Sequence, residues 1–477
     1  MFTCQKCIIY KYLKYNKASY QIFKKIITMK INTLKNGINT IFCNKSNSDM
    51  VVVGFVCKTG YINEYKNFPN GITLLIEKLF LKGTHKNPSV KKIWHAIESI
   101  GGRWYSETDS EILSFYILLP QENQFKGISL ISEIIQKSYF EEMDIEECKN
   151  ELIEELKSIR KGTNVNFGLE NLYTCFPYSQ KKVGTIDQIM SITQSTILDY
   201  LARQLRPSNC YITISGNYQL KACQDLIEQE WSYWLPTVRK SEEVYFDYQV
   251  CKNDLPKIPF LQAAKMDTDL NINFLLTEGV VALELIDNTE VIDKQLIAQI
   301  QDNFIERLAI YAMIIEVLTG GNTGRLYSKL VHEEKLVNHI QAELIQYTFS
   351  GCISIYANID NQNFNQSLVA ILQTFEDLRK TVINGTELQK VKEMTKLGLL
   401  LLKEDLLNFT VFTVKQMVLS GNSIDINDII TKVNYIESAQ IRSFCLEIFS
   451  ASNICLSIIG TNKEGKYIEK LLEKHLL

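Results

Sequence analysis

The chain has 477 residues, of which 46% are hydrophobic and 22% charged. At ~150 residues per domain this length fills two to four cores, and the composition is that of a globular chain rather than a disordered one. With 51 basic against 54 acidic residues the formal charge is −3, which gives no indication of a general nucleic-acid-binding surface.

Charge is uneven along the chain. Residues 1–48 hold nine lysines and no arginine, aspartate or glutamate, so −3 − 9 = −12 is left for the rest. In that segment Ile8, Ile9, Tyr12, Leu13, Ile22, Phe23, Ile26 and Ile27 recur at helical spacing among lysines, the pattern of a basic amphipathic helix. Residues 1–28 are therefore read as a targeting leader of mitochondrial type, for the matrix or a related organelle. Its lack of arginine and poverty in serine keep a bacterial or cytosolic protein as the alternative.

After Met29 come strand-like runs at Ile31–Leu34, up to Phe42, and Met50–Lys58, with Asn36-Gly37 as the turn between the first two. Helical periods follow at Ile72–Phe80, Val90–Ile100, Gly127–Ser138, Ile145–Arg160 and Ile192–Gln204, with strands at Ile112–Leu119 and Cys210–Ser215. This mixed order predicts an α+β architecture. All eight prolines precede residue 260, and the Pro236–Pro259 stretch lacks a long period, so residues 236–260 read as a linker. It joins a domain over 29–235 to one over 261–477. The halves look duplicated, because Ile192, Ile197, Ser208, Asn209 and Gly216 have counterparts 244 residues later in Ile436, Ile441, Ser452, Asn453 and Gly460. The expected fold is thus two related domains, each a mixed β-sheet packed with helices.

No run approaches ~18 apolar residues, since Leu399–Leu402 is closed by Lys403, Glu404 and Asp405, and no membrane span is expected. The twelve cysteines are scattered and read as reduced thiols; Cys4 and Cys7 have no second pair or histidine to complete a zinc tetrahedron. No nucleophile sits in a Gly-x-Ser-x-Gly context, and Gly320-Gly321-Asn322-Thr323-Gly324 lacks the lysine and spacing of a nucleotide loop.

The densest signal is Asn70-Gly71-Ile72-Thr73-Leu74-Leu75-Ile76-Glu77-Lys78-Leu79-Phe80-Leu81-Lys82-Gly83-Thr84. It resembles the pitrilysin/insulinase family of zinc metallopeptidases, which includes mitochondrial processing peptidase subunits and the core proteins of respiratory complex III. There the helix reads Gly-x-x-His-x-x-Glu-His-x-x-Phe-x-Gly-Thr. Two histidines four apart share a helical face and hold zinc, and the glutamate between them takes the proton of a zinc-bound water. Further matches run in order from residue 30 to 465: Glu98-Ser99-Ile100-Gly101-Gly102, Phe176-Pro177-Tyr178 to Val183-Gly184-Thr185, Leu205-Arg206-Pro207-Ser208-Asn209 to Ser215-Gly216-Asn217, and Leu318-Thr319-Gly320-Gly321-Asn322-Thr323-Gly324-Arg325-Leu326-Tyr327. The resemblance implies a clamshell-half architecture.

The register is kept and the ligands are not. Leu74 and Lys78 stand at the histidine positions, Glu77 at the general-base position, and Glu154 or Glu155 at the third-ligand position. Leucine has no lone pair and an ammonium repels a dication, so neither zinc nor another cofactor is expected in this chain. Glu77 is expected to pair with neighbours rather than act as a base. The substrate edge strand carries Tyr105 and Ser106 where the family has Asn-Ala. The family's arginine and tyrosine, seven residues apart, fall on Val331 and Asn338, or on His332 and His339. A helix over His332–His339 is expected as a solvated face, and His85 as a loop residue that could reach the old metal position only if its loop folds back. The implied function is that of a non-catalytic subunit, inactive on its own. It would pair as a heterodimer with a zinc-bearing family partner and hold extended polypeptide by edge-strand addition. The alternatives are a structural core subunit of a complex III-like assembly and an active peptidase with a rebuilt metal site.

Overall fold

Val51, Val53, Phe55 and Cys57 bury their side chains on one face of a strand while Val52 and Val56 bury theirs on the other, so this strand must lie inside a sheet covered on both sides. The computed structural model describes residues 27–64, 67–160, 172, 182–234, 260–262, 267–276, 294–348, 350–421, 423–460 and 465–476. The leader up to Ile26, Cys4, Cys7, Phe176–Tyr178 and residues 236–259 lie outside them.

The first sheet is built from β1 (Ile27–Thr33), β2 (Asn39–Lys45), β3 (Met50–Cys57), β4 (Arg103–Thr108), β5 (Leu113–Pro120) and β6 (Cys210–Gly216) in the order β1-β2-β6-β3-β5-β4. β1 and β2 form the expected hairpin, with Gly37 at φ 98° in its turn. β3 does not extend that hairpin. β6 returns from far along the chain and inserts between β2 and β3, parallel to the first and antiparallel to the second. β1 begins at Ile27, which pairs with Lys45, so the sheet starts two residues inside the segment read as a leader.

Helices α1 (Ile72–Leu79), α2 (Val90–Ser99), α3 (Gln124–Lys137), α4 (Glu142–Arg160), α5 (Ile186–Ser191), α6 (Gln194–Gln204) and α7 (Leu220–Trp231) belong to this half. Ile72, Leu75, Ile76, Ile93, Ile97, Ile131, Ile197 and Ile227 from five of them join Phe55, Phe115 and Ile117 of the sheet in one core.

The second sheet comprises β7 (Phe260–Gln262), β8 (Asp267–Leu276), β9 (Val337–Gln346), β10 (Gly351–Asp360) and β11 (Ile454–Gly460) in the order β7-β11-β8-β10-β9. Strand for strand this repeats β2-β6-β3-β5-β4, with the single parallel pair at the same place. The helices of this half are α8 (Lys294–Thr319), α9 (Phe364–Lys380), α10 (Gly385–Glu404), α11 (Leu406–Ser420), α12 (Ile426–Tyr435), α13 (Ser438–Ile448) and α14 (Gly465–Leu476). The sequence offset of 244 carries α6 onto α13 and β6 onto β11 residue for residue. The fold is two related α+β domains, as expected.

α11 joins the halves. Leu406, Phe409, Val414, Met417 and Val418 pack on Ile41, Cys43, Val52, Val56 and Tyr116, the face of the first sheet away from its own helices. Each such side chain contributes ~1.5–3 kcal/mol when fully buried. The Tyr116 ring lies flat on this face because Gly54 opposite has no side chain; a Cβ there would sit 2.5 Å from the ring. Polar contacts close the rim. Lys45 Nζ donates to the carbonyls of Lys403 (2.6 Å) and Glu404 (3.0 Å), the Thr348 amide donates to Glu111 (2.7 Å), and Lys415 pairs with Asp109. Among the described residues no helix is long and apolar enough to cross a membrane.

Candidate functional site: the altered zinc-site helix

α1 carries the site and is anchored from outside itself. Its N-cap, Gly71, has φ 95° and offers no capping side chain. The buried carboxylate of Glu64 takes that role, accepting from the amides of Gly71 (2.8 Å) and Thr73 (2.9 Å). Burial pushes this carboxyl up to about 8 even though those amides pull the other way. Tyr200 of α6 locks the same turn, its hydroxyl lying 2.6 Å from that of Thr73 and 2.9 Å from that of Thr59.

The three motif positions of α1 meet three different sets of neighbours. Leu74 is 9% exposed and belongs to the first core. Glu77 faces the edge strand β4, where Ser106 Oγ donates to one carboxylate oxygen (2.8 Å) and Thr108 Oγ1 to the other (2.5 Å). Lys78 faces α4, its ammonium 2.7 Å from Glu155 and 3.7 Å from Glu151. One turn on, Lys82 repeats the arrangement with Glu151 (3.1 Å) and Glu147 (3.3 Å). Partial burial would lower the Lys78 ammonium, but the Glu155 and Glu151 carboxylates outweigh it and hold its pKa above the usual lysine value. Lys78 is thus a cation, and it stands between the helices where the resemblance would place a metal ion.

Of the two third-ligand candidates, Glu155 is the one turned toward α1; Glu154 pairs with Lys157 at 2.6 Å on its own helix. His85 lies exposed beside Tyr139, because its loop is tied to α3 by Thr84 and Asn87, which both donate to Glu133 (2.5 and 2.8 Å). The loop does not fold back to the α1 face.

β4 is one edge of the first sheet, unpaired on its outer side among the described residues. Strand alternation separates the two substrate-side positions: Ser106 turns inward to Glu77, while Tyr105 turns to the opposite face, 38% exposed, with its hydroxyl 3.3 Å from Glu107.

In the second half the expected helix over His332–His339 is not formed. Ser328–Glu333 makes one wide π-helical turn, Lys335 takes a left-handed φ of 50°, and the chain enters β9 at Val337. Val331 is half-buried against the second core, and His332 packs edge-on against Tyr327. The register of β9 against β10 slips at Asn338, which lets Asn338 and His339 both lie exposed between buried Val337 and Ile340. Asn338 donates to Asn358 and Asp360, and His339 bonds Gln341. Arg325 is committed elsewhere, in a two-pronged pair with Glu387 at 2.8 Å on each prong.

Sequence reasoning missed Glu64, Glu147, Glu151, Thr108 and Lys415. Two of these carried a signal: Lys78 and Lys82 at four-residue spacing match Glu147, Glu151 and Glu155 at the same spacing on the next long helix.

The family model for insulinase (peptidase family M16) matches residues 40–180, and that for the peptidase M16 inactive domain matches residues 295–395. The chain belongs to the insulinase family, peptidase family M16. It is 22% identical over 437 residues to an uncharacterized zinc protease of Rickettsia felis, covering 91% of this chain and 97% of that one. It is 23% identical over 468 residues to the mitochondrial-processing peptidase subunit beta of Saccharomyces cerevisiae, covering 95% and 96%. Among solved structures, a protease from Helicobacter pylori superposes with a TM-score of 0.77 at 16% identity, covering 91% of this chain and 99% of that chain.

The zinc of such peptidases does not fit the residues present. Leu74 has no donor atom, and Lys78 brings positive charge to the metal position. Among the described residues no group of three or more His, Cys, Asp or Glu could hold a metal ion.

Proposed function

We propose that this chain is a non-catalytic member of the insulinase family that serves as the accessory subunit of a zinc endopeptidase acting on polypeptides or presequences. The observation that carries this reading is the Lys78 ammonium seated 2.7 Å from Glu155, an internal cation in place of a metal ion. The likeness to a mitochondrial-processing peptidase subunit along nearly the whole chain supports a role in polypeptide processing. Its partner would be a family member with an intact His-x-x-Glu-His helix, joined as a heterodimer. The lysine-rich leader and the yeast relative favour a mitochondrial location, while the Rickettsia relative favours a bacterial or cytosolic one.

The test is zinc content and endopeptidase activity of the purified chain, alone and in the complex isolated from its native source. Zinc and activity found only in the complex are the expected result. One equivalent of zinc in the isolated chain would overturn the reading in favour of a rebuilt metal site, and a zinc-free, inactive complex would replace it with a structural core subunit.

A further inference from the structure

The hydrogen bonds of Glu77 join the helix α1 to a strand of the sheet. Both its oxygens accept hydroxyls, and the two donors, Ser106 and Thr108, are alternate residues on one face of the same strand. That strand is β4, at one edge of the sheet, which among the described residues has a hydrogen-bonded neighbour only in β5. The helix behind Glu77 is immobilised in turn by Glu64 and Tyr200 at its first turn and by the Lys78 and Lys82 pairs to α4. Beyond Thr108 the chain is gripped again, where Asp109 pairs with Lys415 of the second domain and Glu111 accepts from Thr348.

We propose that Glu77 is a positioning residue that pins the edge strand β4 to α1, holding Ser106 and Thr108 in register so that the sheet presents a fixed outer edge. The inference rests on the non-catalytic reading, in which Glu77 has no zinc-bound water to deprotonate and its carboxylate serves the strand instead. A free edge strand with one neighbour frays unless something holds its face. Here the carboxylate at the old base position does so, and the Asp109–Lys415 pair fixes the strand's end.

Amide hydrogen exchange on the full chain tests this, comparing wild type with Glu77→Ala, Glu77→Gln and the double variant Ser106→Ala/Thr108→Val. Losing two side-chain hydrogen bonds should speed exchange of the β5-bonded amides within Arg103–Thr108 by about tenfold or more in Glu77→Ala and in the double variant. Glutamine can still accept one hydroxyl and donate to the other, so Glu77→Gln should stay within about threefold of wild type. Amides of β8 and β10 in the second sheet should not change in any variant. Unchanged β4 exchange in Glu77→Ala and the double variant would overturn the proposal, as would equal acceleration throughout the protein or a glutamine variant as fast as alanine. These outcomes are independent of the zinc assay: zinc in the isolated chain would refute the non-catalytic reading whatever β4 does, and unchanged exchange would refute the strut and leave that reading standing.

Discussion

Lys78 and Glu155 meet at 2.7 Å across the gap between α1 and α4, and the ion pair they form stands where the sequence resemblance would place a metal ion. Both groups are partly exposed, at 24% and 47%, so the pair itself contributes no more than ~1 kcal/mol. Its importance is chemical: a fixed ammonium cannot coexist with a dication at the same position.

Restoring the donors should therefore restore the metal. The double variant Leu74→His/Lys78→His places two imidazoles four residues apart on one helical face, with Glu155 and Glu151 opposite. Equilibrium dialysis followed by metal analysis should find about one zinc per folded chain in the double variant, close to none in wild type, and little in either single variant. A folded double variant that binds no zinc would show that the spacing of α1 and α4 has drifted along with the ligands.

The fold should lose stability as pH rises toward neutrality. Burial pushes the Glu111 carboxyl from 4.5 up to about 7, although the Thr348 amide pulls it down. An acid whose folded pKa is raised stays protonated in the folded chain while the unfolded chain ionises, so stability is lost as pH rises from about 4.5 to about 7 and then levels off. Glu111→Gln keeps an acceptor for Thr348 and removes the charge. It should flatten this slope and raise stability at pH 8 by ~1–3 kcal/mol, as read by denaturant unfolding across pH. Glu64, pushed up to about 8, leaves a second slope extending to higher pH in both proteins. The opposite sign comes from Asp109, which burial would raise but the Lys415 ammonium holds below the usual aspartate value; its contribution is lost only below about pH 4.

Arg325 should act as structure rather than as a substrate contact. Its guanidinium is bound by Glu387 on both prongs, with the two side chains 26% and 18% exposed, and so ties the glycine-rich turn to the first turn of α10. Arg325→Ala should cost ~1–2 kcal/mol, between the exposed and buried cases, and Arg325→Lys should recover less than half of that because an ammonium cannot fill both prongs. Thermal unfolding of the two variants measures it; a neutral Arg325→Ala would refute the assignment.

What the sequence made legible was local or repeated. The helices over Ile72–Leu79, Val90–Ser99 and Gln194–Gln204 follow their apolar periods to within a few residues, and the 244-residue offset revealed the duplication because identical structural needs recur at the ends of both copies. What stayed hidden depends on distant partners. Nothing near Glu64 announces that it caps a helix beginning at Ile72, and Lys415 meets Asp109 across 306 residues. The insertion of β6 between β2 and β3 is a pairing choice that no local period records. Over His332–His339 the helical pattern misled, since a left-handed Lys335 and a slipped register at Asn338 interrupt it.

The first sheet keeps its two tasks on opposite faces. Leu74 packs against the side lined by Val53, Phe55 and Phe115, while Val52, Val56 and Tyr116 on the other side receive α11. Because neighbouring residues of a strand point in opposite directions, the chemistry on one side could erode without disturbing the junction on the other. Substitutions at positions 74 and 78 therefore fall on a surface that the junction never meets.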